Sequence, residues 1–207
     1  MGLALNIADT EGIEAVSFRR LAHDFGVTPM AIYRHVRNKD DLLDAMTEHV
    51  LASFDTSAVQ ETDWREQVRG LLYALRRMLL VHPSGSSLLS RRSLPSKNRL
   101  AIFETALGIL RSAGFEPREA FFIFEYLLNQ VVSLVVAGNG YIQGTEAERR
   151  VWGAQLLEFY GGLPPQQYPW LVEAAPNIAA CVDTEQHFAF GIDLLLAGVE
   201  AMAASKR

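Results

Sequence analysis

Hydrophobic residues in this 207-residue chain recur at helical spacing from end to end. Leu42, Leu43, Met46 and Val50 repeat at intervals that share one helix face. So do Val68, Leu71, Leu72, Leu75, Met78 and Leu79. No stretch alternates with period two for long, and turn residues do not recur at hairpin spacing. The pattern predicts an all-α chain.

The capping residues divide it. A short helix is expected over 3–10, stopped by Gly12. Ser17 is placed to cap a helix over 18–25, with Leu21, Ala22 and Phe25 turned inward. Gly26-Val27 then makes a tight turn, because Gly26 adopts positive φ without cost. Thr28 is read as the cap of a third helix that carries Pro29 at its first position and runs to about Val36. Asn38 caps a fourth, whose positive end suits Asp40 and Asp41. The polar run 55–62 marks a boundary, giving a head over 1–50 and a larger body over 51–207. In the body, helices are expected over 64–81, 96–113, 117–138, 145–160, 171–181 (interrupted at Pro176) and 185–204. A short helix or turn lies around 87–90, Gly138-Asn139-Gly140 ends the 117–138 helix, and Asp183 or Thr184 caps the last.

Composition narrows the class. The net charge of −5 argues against a basic nucleic-acid binder, yet positive charge is concentrated. Arg19, Arg20, Arg34, Arg37 and Lys39 face only Asp24 between Ser17 and Lys39, a local +4, whereas 1–16 is acidic through Asp9, Glu11 and Glu14. A single cysteine, Cys181, precludes an internal disulfide framework and suits a reducing, cytoplasmic setting. The apolar run 121–137 contains Glu125, Asn129 and Gln130 and reads as a buried helix, too short and polar for a bilayer.

Two short helices joined by a glycine turn, the second opening Thr-Pro, fit a helix-turn-helix. Leu21, Ala22, Val27 and Ile32 would hold the first helix across the second. The second would then aim its N-terminal residues at base edges while its dipole meets phosphate. Arg19, Arg34, Arg37 and Lys39 lie close enough to flank the groove. Taken alone, such a basic cluster is as readily a solvated face.

The segment VSFRRLAHDFGVTPMAIYRHVRNKDDLLDAM, 16–46, resembles the DNA-binding head of the tetracycline-repressor (TetR) family. The Gly-Val turn, Tyr33-x-His35-Val36 and Asn38-Lys39-x-x-Leu42-Leu43 carry the likeness. More weakly, the helix after Trp64, Ala-Gly-Phe at 113–115 and FAFGIDLLLAGVE at 188–200 resemble the tetracycline-repressor branch. The resemblance implies that Ser17 and Arg19 touch backbone or base, and that Thr28, Pro29, Met30 and Ala31 form the reading edge. Tyr33, His35 and Lys39 would fasten phosphates. Met30 and Ala31 are apolar and suit thymine methyls. Members of the family usually have a longer first helix and a basic N-terminal extension. The acidic segment before Ser17 departs from that, which implies either a start further upstream or weaker DNA affinity.

Helices 117–138 and 185–204 carry little polar face, through Val131, Val132, Leu134, Val135 and Val136 and through Phe188, Phe190, Ile192, Leu194, Leu195, Leu196 and Val199. Such helices are buried or paired with a partner. The resemblance implies a homodimer built on them across a two-fold axis, with Gly191, Ala197 and Gly198 permitting close packing. A twofold dimer suits a palindromic double-stranded operator. It also implies a ligand pocket lined by Leu71, Leu75, Phe103, Ala106, Leu107, Phe121, Phe124, Glu125 and Leu128, although the same residues could simply be core. Glu125 and Asn129 on so apolar a helix need a partner, a ligand or exposure. The family's metal-chelating and drug-contacting polar positions fall on Leu71 and Leu89. A different, largely apolar small-molecule effector is therefore expected, with no magnesium and no other cofactor. The expected function is a repressor that such an effector releases from DNA.

The same residues bear on two other classes of function. Among His23, His35, His49, His82 and His187 there is no His-x-x-x-His pair and none adjoins the cysteine. With no phosphate loop or nucleophile elbow, an enzyme is not expected. A dimeric helical small-molecule-binding protein with weak or lost DNA binding is the alternative.

Overall fold

The computed structural model describes residues 1–55, 63–91, 95–141, 145–180 and 184–206. The 56–62 part of the expected boundary, Cys181 and the Asp183 cap lie outside the described residues. Among the described residues all regular structure is helical. The elements are α1 (Gly2–Glu11), a 3-10 turn (Ile13–Ala15), α2 (Phe18–Phe25), α3 (Pro29–Tyr33), α4 (Lys39–Leu51) and α5 (Trp64–Val81). They continue with α6 (Gly85–Leu89), α7 (Lys97–Ser112), α8 (Pro117–Tyr141), α9 (Glu146–Gly161), α10 (Pro169–Ala180) and α11 (Thr184–Ala204). The chain groups into two compact units, 1–132 with 199–207, and 133–198.

In the first unit, α1 buries Ala4, Leu5, Ile7 and Ala8, and Gly12 at φ 90 ends it. Ser17 caps α2 by accepting from the Arg20 N–H, and Gly26 closes it in the left-handed region at φ 66. Asn38 caps α4 by accepting from the Asp41 N–H. Val16, Leu21, Ala22, Leu42, Leu43 and Met46 are all buried in the core.

Three local expectations need correction. Helix α3 stops at Tyr33, not near Val36, and Arg34-His35 continue only as a turn. Thr28 occupies the cap position without a side-chain cap bond, so the proline at N1, which needs no donor partner, starts this helix. Phe25 is 53% exposed where it was expected to face inward, and Val27 is exposed too. A helix of two turns has room for only one inward stripe, which Leu21 and Ala22 occupy.

Three contacts tie α1 and α4 to α5–α7. Asp9 accepts from the Ser84 N–H and hydroxyl at 2.9 and 2.6 Å, and His82 Nδ1 lies 3.0 Å from its other oxygen. Arg91 bridges Asp40 and Asp44 on α4. Glu48 accepts from the Asn98 N–H at the start of α7, while its second oxygen is buried without a partner. Gly85 lets α6 lie against Leu79 and Val50, since a Cβ there would stand 3.1 and 3.6 Å from their methyls.

In the second unit, α9 opens with a capping box between Thr145 and Glu148 and packs along α10. The expected interruption at Pro176 is absent: α10 runs through it from Pro169, losing one backbone bond in a helix held by its partner. Gly191 of α11 approaches Leu134 of α8, whose nearest methyl would sit 3.0 Å from an added Cβ. Gly198 faces open space. Helix α8 also continues past the expected Gly138-Asn139-Gly140 stop to Tyr141. The stretches 117–136 and 185–204 are long and apolar enough to cross a bilayer by length and composition alone, a test that core helices of soluble proteins also pass.

Candidate nucleic-acid interface and ligand cavity

The exposed face of α2 and α3 is set by packing from below. With Leu21 and Ala22 buried, the opposite side presents Ser17, Arg19, Thr28, Pro29, Met30, Tyr33, Arg34 and His35 to solvent, and Ala31 is half-buried beside them. Met30 is 69% exposed. The Tyr33 ring stacks on Phe18 of α2, with centroids 4.6 Å apart and planes within 13°. Phe18 thus orients the tyrosine and braces α3, a role its own apolarity did not announce.

Charge on this face is sorted by ion pairs. Arg20 is held by Glu11 and Asp24, Arg37 by Asp41, and Lys39 by Glu14 at 2.9 Å. The Asp24 carboxyl is held below the usual aspartate range, first by the His23 hydrogen bond and then by that of Arg20. The Arg20 guanidinium is correspondingly raised by Asp24 and Glu11. The side chains of Arg19, Arg34 and His35 make no hydrogen bond or ion pair with a described residue. The +4 of the sequence count therefore reduces to Arg19 and Arg34 as cations free to meet an anion, with Lys39 available only if Glu14 lets go.

The second feature is a cavity of about 40 Å³ inside the first unit, lined by Leu51 and Phe54 after α4, Leu71, Leu72 and Leu75 of α5, and Leu89 of α6. Arg99, Ile102 and Phe103 of α7 and Phe124 and Leu128 of α8 complete it. Phe103 and Phe124 meet edge to face, 4.7 Å between centroids at 80°. Of the expected pocket residues, Leu71, Leu75, Phe103, Phe124 and Leu128 line it. Ala106 is buried and Leu107 half-buried elsewhere on α7, Phe121 is exposed, and Glu125 is half-exposed; none of the four lines this cavity. Asn129 is also exposed and donates to the Glu125 carbonyl. Leu89 and Leu71, read from sequence as apolar positions, both face the cavity. Leu51, Phe54, Leu72, Arg99 and Ile102 were missed as a set. Ile102 and Arg99 lie one residue and one turn before Phe103, a spacing that could have drawn them in.

Helix α4 connects the two features. Its N-terminus at Asn38 follows the α3 turn, and Leu51 at its other end forms part of the cavity wall. Thirteen residues span about 20 Å at 1.5 Å per residue. Among the described residues no group of His, Cys, Asp and Glu is arranged to hold a metal ion.

Known proteins share this arrangement. The chain matches the family model described as bacterial regulatory proteins, tetR family, over 3–46, and that of the tetracyclin repressor-like C-terminal domain over 57–203. Tetracycline repressor protein class E of Escherichia coli is 29% identical over 209 residues, covering 100% of this chain and 92% of the relative. An HTH-type transcriptional regulator of Saccharopolyspora erythraea is 30% identical over 200 residues, covering 97% of this chain and 82% of that one. The crystal structure of Streptomyces coelicolor ActR in complex with actinorhodin superposes with a TM-score of 0.86 at 30% identity, covering 99% of this chain and 94% of that one. An exposed helix-turn-helix, a largely apolar cavity and both family matches lead to one conclusion: the chain belongs to the TetR family and is a ligand-responsive, DNA-binding regulator, not an enzyme.

Proposed function

We propose that the protein is a homodimeric repressor that leaves a palindromic operator when a small, largely apolar effector enters the α4–α8 cavity. The observation that carries this reading is α4, which starts beside the exposed recognition turn and ends in the cavity wall. An effector that fits better when α4 is displaced shifts the population toward a conformer with misplaced recognition helices, and can do so only by its differential affinity for the two conformers.

In the DNA-bound form, Thr28, Pro29, Met30 and Ala31 lie at base edges, with Met30 against a thymine methyl. Ser17, Arg19, Tyr33 and His35 contact the backbone, and Lys39 joins them by exchanging Glu14 for a phosphate. The functional division falls at 50/51, between a DNA-binding head and an effector-binding, dimerising body. Leu71, Leu75, Phe103, Phe124 and Leu128 contact the effector, and no magnesium is required.

The dimer forms through 117–138 and 185–204. Supporting it, Phe122 and Tyr126 of α8 and Phe190 and Leu194 of α11 are each more than half exposed, at spacings that repeat along one helix side. A regulator acting on DNA places this apolarity against protein rather than lipid, and places the protein in the cytoplasm.

The test is binding to a palindrome-bearing fragment from the gene's upstream region, with salt varied and Tyr33→Ala as control. Salt-sensitive, sequence-preferring binding that Tyr33→Ala weakens supports the operator reading. Absence of preference at low salt leaves a dimeric helical binding protein. Leu194→Glu should yield monomers in sedimentation and lose operator binding.

A further inference from the structure

Among the described residues, the cavity wall contains one charge: Arg99 is the only charged side chain of those that line it, and every other described lining residue is aliphatic or aromatic. The side chain is half-buried. One Nη2 hydrogen bond, to the Leu89 carbonyl at 3.2 Å, is its single hydrogen bond to a described residue, and no carboxylate of a described residue pairs with it. A guanidinium has five N–H donors in a planar fork, so most of its capacity is unused. Glu48 of α4 accepts from the neighbouring Asn98 N–H through one oxygen and makes no ion pair with Arg99. Two contacts hold Arg99 in place: Ser96 caps α7 by accepting from the Arg99 N–H, and the guanidinium carbon sits 5.9 Å from the centre of the Phe103 ring one turn on.

A half-buried cation in an apolar wall, with no carboxylate of a described residue paired to it, gives up solvation for one carbonyl hydrogen bond and one ring contact. Its partner is to be sought in the ligand. We propose that Arg99 is the specificity-determining residue of the cavity, and that it selects effectors with an apolar ring body and one anionic group: a carboxylate, sulfonate or ionised phenol. Because a cavity of about 40 Å³ is smaller than an aromatic ring system, the ring body enters among Leu71, Leu75 and Phe124 as α4 is displaced, and the anion accepts from the Arg99 fork. This rests on the cavity being the effector site, and refines the expected effector from apolar to amphipathic and anionic. The Leu89 carbonyl contact places the guanidinium against the end of α6, so the anion also bears on the helix that packs under α4.

The test uses two dyes with one skeleton, 1-anilinonaphthalene-8-sulfonate and N-phenyl-1-naphthylamine, which lacks the sulfonate. Fluorescence titration is run on the full chain, its Arg99→Met and Arg99→Lys variants, and Leu128→Trp, which fills the cavity. Circular dichroism checks folding of each. Only signal removed by Leu128→Trp is counted, because exposed apolar helices also bind such dyes. Arg99→Met should weaken the sulfonate dye by about tenfold or more, as expected for losing a charge-assisted hydrogen bond, and leave the neutral dye unchanged. Arg99→Lys should retain part of the preference, since it keeps the charge and loses the fork. If Arg99→Met lowers both dyes equally, or neither, the role of Arg99 is overturned while the cavity reading stands. If Leu128→Trp leaves both signals intact, the cavity is not a ligand site and both readings fall.

Discussion

Asp9 offers the sharpest test of how the head is joined to the rest of its unit. It is the last turn of α1 that places this carboxylate against the α5–α6 turn, where it accepts two hydrogen bonds from Ser84 and faces His82 Nδ1. The site is sheltered: the Asp9 side chain is 15% exposed and that of His82 22%. Removing the carboxylate in Asp9→Ala leaves the largely buried Ser84 with neither its N–H nor its hydroxyl satisfied at this site. Hydrogen bonds to a charged group contribute about 1.5–3 kcal/mol, and an orphaned buried donor costs about 1–3 kcal/mol. These overlap, and partial exposure softens both, so a loss of about 2–4 kcal/mol is expected. Asp9→Asn keeps one acceptor and should cost roughly half as much. The assay is urea unfolding at fixed protein concentration, read as a midpoint shift at constant slope, since subunit association would otherwise move it. A thermal midpoint lower by roughly 5–10 °C should accompany it. An Asp9→Ala protein within about 0.5 kcal/mol of the parent would refute the reasoning. A double-mutant cycle with Ser84→Ala should show coupling of about 1–2 kcal/mol.

On DNA, Arg34→Gln should flatten the plot of log affinity against log salt by about one unit, because this cation has no internal partner. Arg20→Gln, whose charge is spent on Glu11 and Asp24, should leave that slope alone and lower head stability instead; equal slopes for both variants would sink the distinction. Glu14→Gln should release Lys39 and tighten operator binding by about threefold at low salt, the scale of an exposed ion pair. Phe18→Ala should weaken operator binding nearly as much as Tyr33→Ala, with α2 still folded by circular dichroism; a Phe18→Ala protein that binds normally would show that the stack positions nothing. For pH, a carboxylate depressed in the folded state stabilises it above the unfolded value and loses that contribution as pH falls through the folded one. Asp24 should therefore titrate by NMR below free aspartate, and His23→Ala should move it upward; a midpoint at or above the free value would refute the assignment.

The helical class, the helix-turn-helix and most caps were legible from sequence because each is local. Ser17, Gly26 and Asn38 act within one turn of their own positions, and the spacing of Leu42, Leu43, Met46 and Val50 reports a buried face whatever covers it. Where sequence reasoning missed, the deciding term was non-local. Helix α3 was expected to run on, yet its length depends on how α4 re-enters behind it. Pro176 was expected to break a helix that α9 instead holds together. The five basic residues of the head looked equivalent until Glu14, Glu11 and Asp41 were seen to neutralise three of them. The cavity followed the same logic. Leucines and phenylalanines at helical spacing read identically as core or as pocket, because periodicity records which side faces inward and not whether the space there is filled. Only the convergence of α4–α8 brought Leu51, Leu75, Leu89, Arg99 and Phe124 around one void, since that depends on distances between segments far apart in the chain.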